Sequence, residues 1–339
     1  VQSVLAARMD RLEPDTKHLL QCASVIGKDF SFQVLQGLSK LEPASLDAQL
    51  GFLKEGEFIH EVKLFPDKEY TFKHALTHQV TYGSLVSHRK IDLHSQVLRL
   101  IEVEWKNPTN EQLQDMARHA LAGEFWEDAA RYGREAGLRL AEQNATRPAA
   151  IAFETALDVL AKLPYTEARA RVRIELCFRL RDAYFILGDN EPIPQRLEEA
   201  EALCEQLGDR TQIAWSRLQH SGFCWQSGRL EEAVDAADAA LGIAQSEKNA
   251  SLRSLAYYRR GLALCGLGRF EESSTALLAT LAWLDTDEGR SYFQLGGLPY
   301  CFACSFLAWS LAEMGELERA LEWGEKGYDF ATEQGQAYS

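Results

Sequence analysis

One short phrase recurs along the second half of the chain and limits what it can fold into. Gly228-Arg229-Leu230-Glu231-Glu232-Ala233 is followed forty residues later by Gly268-Arg269-Phe270-Glu271-Glu272-Ser273, and Gly315-Glu316-Leu317-Glu318-Arg319-Ala320 comes 47 residues after that. Gly188-Asp189 lies forty residues before Gly228. Each part of the phrase has a physical reading. The glycine ends a helix in the left-handed conformation. The Leu or Phe plugs the angle between two helices. The acidic pair sits in the first turn of the next helix, where the helix dipole favours it. The small residue lets the two helices approach closely. A unit of this size cannot bury its apolar face alone, so its copies must stack on one another.

This grammar resembles the tetratricopeptide (TPR) family in a long-helix form, with a period near 40 in place of the usual 34. Tyr257 and Gly261 stand where that family puts a bulky and a small residue. Ala149, Phe153 and Ala156, and Ala233, Ala237 and Ala240, give the spacing of its second helices. Five helix pairs are expected: 126–143 with 147–163, 166–187 with 193–207, 210–227 with 230–246, 249–267 with 270–285, and 297–314 with 317–335. An extra helix is expected at 110–122, and the stretch 286–298, with Gly289, Gly296 and Gly297, reads as an insertion.

Residues 1–105 follow a different pattern. Pro14 opens a helix with Leu19, Leu20, Ala23, Val25 and Ile26 on its apolar face, and Gly27 stops it. Short helices near 31–38 and 44–55 precede two β-like stretches, 58–62 and 70–72, joined through Pro66-Asp67. A long helix then presents Leu93, Val97, Leu100 and Ile101. This is the plan of a winged-helix-like domain. The expected division is thus 1–105, winged-helix-like, and 106–339, TPR-like repeats, and the fold class is mainly α, a winged-helix-like domain followed by an α-α superhelix.

The chain carries 36 Lys and Arg against 50 Asp and Glu, a net charge of −14, of which −12 falls in 106–339. That argues against sequence-blind binding to nucleic acid or anionic lipid. The winged-helix shape invites a DNA-binding reading, but stretch 44–56 offers only Lys54, beside Glu55 and Glu57, where several donors are needed. No apolar run has the length of a membrane span. Seven cysteines, an odd number at core-like helix positions, read as reduced thiols of a cytoplasmic protein. Val1 is not a start methionine and the last residues lack a polar cap, so the chain reads as a piece of a longer protein.

The N-terminal segments carry a second resemblance. The run from Val1 to Leu12, then Leu19-Leu20-Gln21-Cys22-Ala23-Ser24-Val25-Ile26-Gly27, looks like the segment that follows the nucleotide-binding module in STAND-class signalling ATPases. Tyr70-Thr71-Phe72-Lys73-His74-Ala75-Leu76 and Val80-Thr81-Tyr82-Gly83-Ser84-Leu85 look like its continuation. In bacteria this arrangement often lies behind a class III adenylate/guanylate cyclase domain and ahead of TPR repeats. The resemblance implies a non-catalytic sensor and scaffold region. It would bind a protein or peptide ligand and relay it by intramolecular contact to an upstream nucleotide-binding module. ATP or ADP and Mg would belong to that module, and no cofactor or metal to this chain. Gly27-Lys28-Asp29 is no phosphate-binding loop, because Cys22 stands where the first glycine is needed. Two other readings stay open: the sensor of a STAND-type transcription regulator binding a small molecule, and a freestanding TPR adaptor.

His74 matches the histidine that in STAND proteins often contacts the β-phosphate of ADP, although the Met and Asp that flank it there are Lys73 and Ala75 here. The bland reading is a helix-start histidine capping its own domain. His74 and His78 are spaced as metal ligands can be, and Cys301 and Cys304 form C-x-x-C; packing roles are expected for both. In TPR arrays the first helix of each pair lines a concave face. That alignment places Arg131, Arg134, Phe178, Phe185, Trp215, Trp225, Tyr258, Phe302 and Trp309 there, as a groove or as core. If they form a groove, its tryptophans make a continuous apolar strip, also open to self-association, and the acidic surround favours a ligand with basic residues beside an apolar anchor.

Overall fold

A computed structural model describes residues 2–63, 68–286, 289 and 298–333. The chain is mainly α, with seventeen helices and three short strands among these residues. It divides into two compact units, 1–164 and 165–339. The change of pattern at residue 105 therefore does not coincide with the compact division, because the helices just after it pack onto the N-terminal part.

The first unit opens with α1 (Gln2–Met9) and α2 (Pro14–Ile26), then β1 (Asp29–Ser31), α3 (Phe32–Ser39), α4 (Pro43–Glu55), β2 (Ile59–Lys63) and β3 (Glu69–Phe72). The strands form an antiparallel sheet in the order β1-β3-β2. The expected hairpin is thus present, and β1 is a third strand that the sequence reading missed. It pairs Phe30 with Tyr70, whose rings stack at 5.8 Å over a core of Leu19, Leu20, Leu35, Leu50 and Phe72. The connection at Pro66-Asp67 lies outside the described residues. Helices α5 (Ala75–Gly83) and α6 (Ser87–Glu104) follow, then α7 (Asn110–Ala122), α8 (Trp126–Glu142) and α9 (Thr146–Lys162). Thr109 and Gln112 make a reciprocal capping box at the start of α7, which satisfies two donors of that helix end.

The second unit consists of α10 (Glu167–Leu187), α11 (Ile193–Leu207), α12 (Arg210–Gln226), α13 (Leu230–Ser246), α14 (Ala250–Gly266), α15 (Phe270–Leu284), α16 (Leu298–Glu313) and α17 (Leu317–Glu333). These are the expected helix pairs. Successive helices pack against one another, and among the first helices of the pairs α12 also touches α14, and α14 touches α16. The expected insertion at 286–298 lies almost wholly outside the described residues.

The turns explain the long period. Residues with positive φ stand at Gly188, Gly208, Gly228, Lys248 and Gly268, one every twenty residues. The repeating element is therefore one helix plus one left-handed turn, and two make the forty-residue unit. The two kinds of turn differ. Within a pair, the residue after the glycine is Arg229 or Arg269, with no side-chain cap, and it pairs with Glu232 or Glu272 at 3.0 and 2.7 Å. Between pairs, Asp209 and Asn249 cap the next helix through the amides of Gln212 and Leu252. Only the first kind leaves a conspicuous phrase in the sequence.

Close approach is built the same way in both units. A Cβ on Gly137 would fall 2.4 Å from the Phe153 ring, and one on Gly261 2.6 Å from Leu277; both partners are sixteen residues ahead. In the second unit Ser221 Oγ donates to the Ala233 carbonyl at 2.7 Å, and Ser273 Oγ to that of Gly261 at 2.9 Å. Buried hydroxyls thus tie the paired helices while satisfying themselves.

Candidate functional site

The second unit separates charge by layer. Its first helices, α10, α12, α14 and α16, carry ten arginines, no lysine and four acidic residues. The second helices, α11, α13, α15 and α17, carry three cations and fifteen acids. Many of these charges meet across the seams. Arg173 reaches Glu199 at 2.6 Å, Arg217 reaches Glu201 at 3.2 Å, and Arg260 reaches Asp238 at 2.7 Å. The acidic surround inferred from net charge therefore belongs to the second helices. The expectation of a ligand flanked by basic residues does not fit the layer that carries the aromatic side chains.

On that layer four rings form one cluster. Trp225 of α12 meets Phe306 of α16 edge-on at 5.9 Å. Phe306 in turn stacks on Phe302 at 6.4 Å and lies 6.0 Å from Trp309. Phe302 and Trp309 keep 37% and 54% of their surface exposed, while Trp225 is half-buried against the core beneath. Trp309 Nε1 donates to Glu313 at 3.1 Å, so the exposed indole is held in place. The α16 stripe i, i+4, i+7 is what carries Phe302, Phe306 and Trp309 to one side. Phe306, absent from the expected set, is its centre; its spacing from Phe302 was the signal that could have found it.

The other expected groove residues are not brought into this cluster. Tyr258 is 8% exposed and belongs to the core with Leu262, Leu277 and Leu307, which corrects its assignment to an open face. Trp215 packs with Ala214, Leu218, Ala240 and Ala244. Ten residues on a 3.6-residue helix turn it by about 80° from Trp225, and the two half-buried rings pack on different core clusters. Phe178 leans on Ile174 and Leu203. Phe185 is exposed, next to Ile186, at the end of α10.

Arg131 and Arg134 lie in the first unit. Arg131 is exposed, pairs with Asp128 at 2.6 Å, and lines a polar cavity of about 460 Å³ with Glu102, Tyr132 and Arg139. Arg134 is half-buried. A second cavity of about 450 Å³ lies between α7, α8 and α9, lined by Ala117, Leu121, Gly133, Ala136 and Ile151. His74 is exposed at the N-terminal boundary of α5, and its side chain makes no capping bond to that helix. His78 Nε2 instead donates to the Ser24 carbonyl at 2.8 Å. Cys301 and Cys304 are both buried in α16, and burial pushes the Cys304 thiol up to about 12. His220, Cys224 and Glu232 place N, S and O donors within 4.8 Å of one another, but Glu232 is engaged by Arg229 and burial raises the Cys224 thiol, so packing accounts for the set.

No protein-family model matches the chain, and no curated protein matches its sequence. Among solved structures it is similar to BtubC (BKLC) from P. vanneervenii, with a TM-score of 0.50 and 13% identity over 76% of this chain and 94% of that one. It is also similar to a Rap protein complexed with Competence and Sporulation Factor, with a TM-score of 0.49 and 15% identity over 78% of this chain and 72% of that one. A STAND protein with a tetratricopeptide repeat sensor, from Pyrococcus horikoshii, matches with a TM-score of 0.42 and 15% identity; it covers 96% of this chain, which spans about half its length at 52%. The chain is thus a mainly α protein with TPR-like helical repeats. No helix among the described residues is long and apolar enough to cross a membrane.

Proposed function

We propose that the chain is a non-catalytic sensor and scaffold region that binds a protein or peptide segment on the first-helix layer of its second unit. The observation that carries this reading is the cluster of Trp225, Phe302, Phe306 and Trp309, two of whose rings stay open to solvent. Aromatic anchors on a rigid layer are the residue type that carries most binding energy in such contacts, and a monomer rarely leaves them exposed without use. The order helix-strand-helix-helix-strand-strand, with a β1-β3-β2 sheet, supports a winged helix in residues 14–72. With the STAND resemblance, it supports a cytoplasmic role in which this region reports ligand to an upstream nucleotide-binding module. His74, exposed on that domain, is the residue we assign to contact the nucleotide. Such coupling requires the ligand to bind two states of the whole with different affinity.

The test is selection of peptides from a displayed library on the 339-residue chain, followed by solution affinities with Trp309→Ala and Phe302→Ala. Losing one anchor should weaken binding by about 2 kcal/mol, roughly thirtyfold, with unfolding midpoints nearly unchanged because both rings are already exposed. Unchanged affinity in both variants contradicts the reading. So does concentration-dependent self-association that Trp309→Ala abolishes while no peptide is selected.

A further inference from the structure

Beside the aromatic cluster the first-helix layer holds two arginines without adequate counter-charge. The Arg259 guanidinium lies directly over Gly222: a Cβ there would come within 3.0 Å of both Cζ and Nη1. Glycine at 222 is therefore what makes room for it. Arg259 Nε is buried with no acceptor, and no carboxylate pairs with this side chain among the described residues, although part of it stays open to solvent. Arg181 of α10 has the same fault at Nε. Among the described residues its head pairs with Asp182, its neighbour in the chain, at 3.0 Å, and that aspartate is itself half-exposed. Arg259 is held below the ordinary arginine range by burial, with Tyr258 and Asp182 opposing and Arg181 adding to the shift. An unpaired Nε is shared by Arg173; what sets Arg259 apart is the missing carboxylate, since Arg173, Arg217 and Arg260 each reach one on a second helix. Trp225 stands one turn beyond Gly222 on the same face of α12 and packs on the Tyr258 core.

We propose that Arg181 and Arg259 receive a carboxylate of the bound peptide, carried next to a bulky apolar side chain that sits on Trp225, Phe302, Phe306 and Trp309. This rests on the peptide-binding reading above and names the chemistry of its ligand. A planar guanidinium takes a carboxylate through two parallel hydrogen bonds. Two arginines against the one half-exposed aspartate that Arg181 meets keep a net positive charge for it. The Nε atoms are closed to solvent in both side chains, so the ligand oxygens meet the Nη donors, whose charge-assisted hydrogen bonds are the strong ones.

The probe is a set of labelled nine-residue peptides with a central Trp or Leu flanked by Asp, Asn or Lys, titrated by anisotropy against the 339-residue chain. Asp-flanked peptides should bind at least about tenfold more tightly than their Asn counterparts, the scale of one charge-assisted hydrogen bond, and Lys-flanked ones most weakly. Arg259→Gln and Arg181→Gln should each erase most of the Asp preference, and Arg259→Lys should keep part of it, with circular dichroism showing each variant folded. Trp309→Ala should weaken all three peptides alike. A Lys or Asn preference overturns the proposal, as does an Asp preference that survives both glutamine variants; in either case a loss in Trp309→Ala leaves the groove itself standing. Absence of binding by every peptide overturns both.

Discussion

Two histidines show how a single side chain can set a condition on the whole first unit. His94 and His119 are buried with Nδ1 atoms 2.9 Å apart. Tyr82 Oη lies 3.0 Å from His94 Nε2, and the Ile26 carbonyl 3.2 Å from His119 Nε2. The line joins α2, α5, α6 and α7. With both rings neutral each gap can hold one proton; the Tyr82 hydroxyl can accept as well as donate, so what opposes an added proton is loss of hydration and the nearby cation, not a missing acceptor. Burial first, then the Arg118 guanidinium, hold His94 down to about 4 and His119 to about 2. Because both folded values lie below the unfolded histidine value, the unfolded chain takes up protons first as pH falls. Stability is therefore full above about 6.5 and drains away as pH drops toward 4, by up to about 3 kcal/mol for His94 alone. Urea midpoints across that range should fall more steeply for the wild type than for His94→Gln. Parallel pH profiles would show that this histidine line does not couple to folding.

At the scale of the helix, close packing depends on glycine where an aromatic ring comes over the neighbouring backbone. Gly137 faces Phe153, a rigid ring locked in a buried site, and Gly261 faces Leu277, a side chain that can rotate. Gly137→Ala should therefore cost about 1–3 kcal/mol in unfolding free energy, and Gly261→Ala less. Equal and small losses in denaturant titration would mean that α8 and α9 can slide apart freely. Elements were the part of the fold most legible in the sequence. The helix pairs were readable because the within-pair turn places Gly, an apolar plug, two acids and a small residue in fixed order, each for its own physical reason. The alternate turn was hidden because Lys248 takes the left-handed position that Gly208 holds elsewhere. Strand β1 was hidden because three residues show no alternation, and its pairing comes from Phe30 stacking on Tyr70, a contact forty residues away.

For the whole molecule, net charge misled because it averages over layers. The −12 of residues 106–339 said nothing about which helices carry the acids, and the first helices turn out to be the basic ones. The aromatic site was half legible for the same kind of reason. Residue type and membership of a first helix pointed to Trp225, Phe302 and Trp309. Rotation about the helix axis, which puts Tyr258 in the core and leaves Phe302 and Trp309 exposed with the half-buried Phe306 between them, needed the packed structure. The account stands on the claim that the first-helix layer of the second unit is the ligand-binding face. Hydrogen exchange on the 339-residue chain, with and without the tightest selected peptide, tests this most directly. Protection is predicted in α12, α14 and α16, centred on Trp225, Arg259 and Phe306, with α13, α15 and α17 unchanged. Protection confined to the second helices, or to the cavity between α7, α8 and α9, would contradict it.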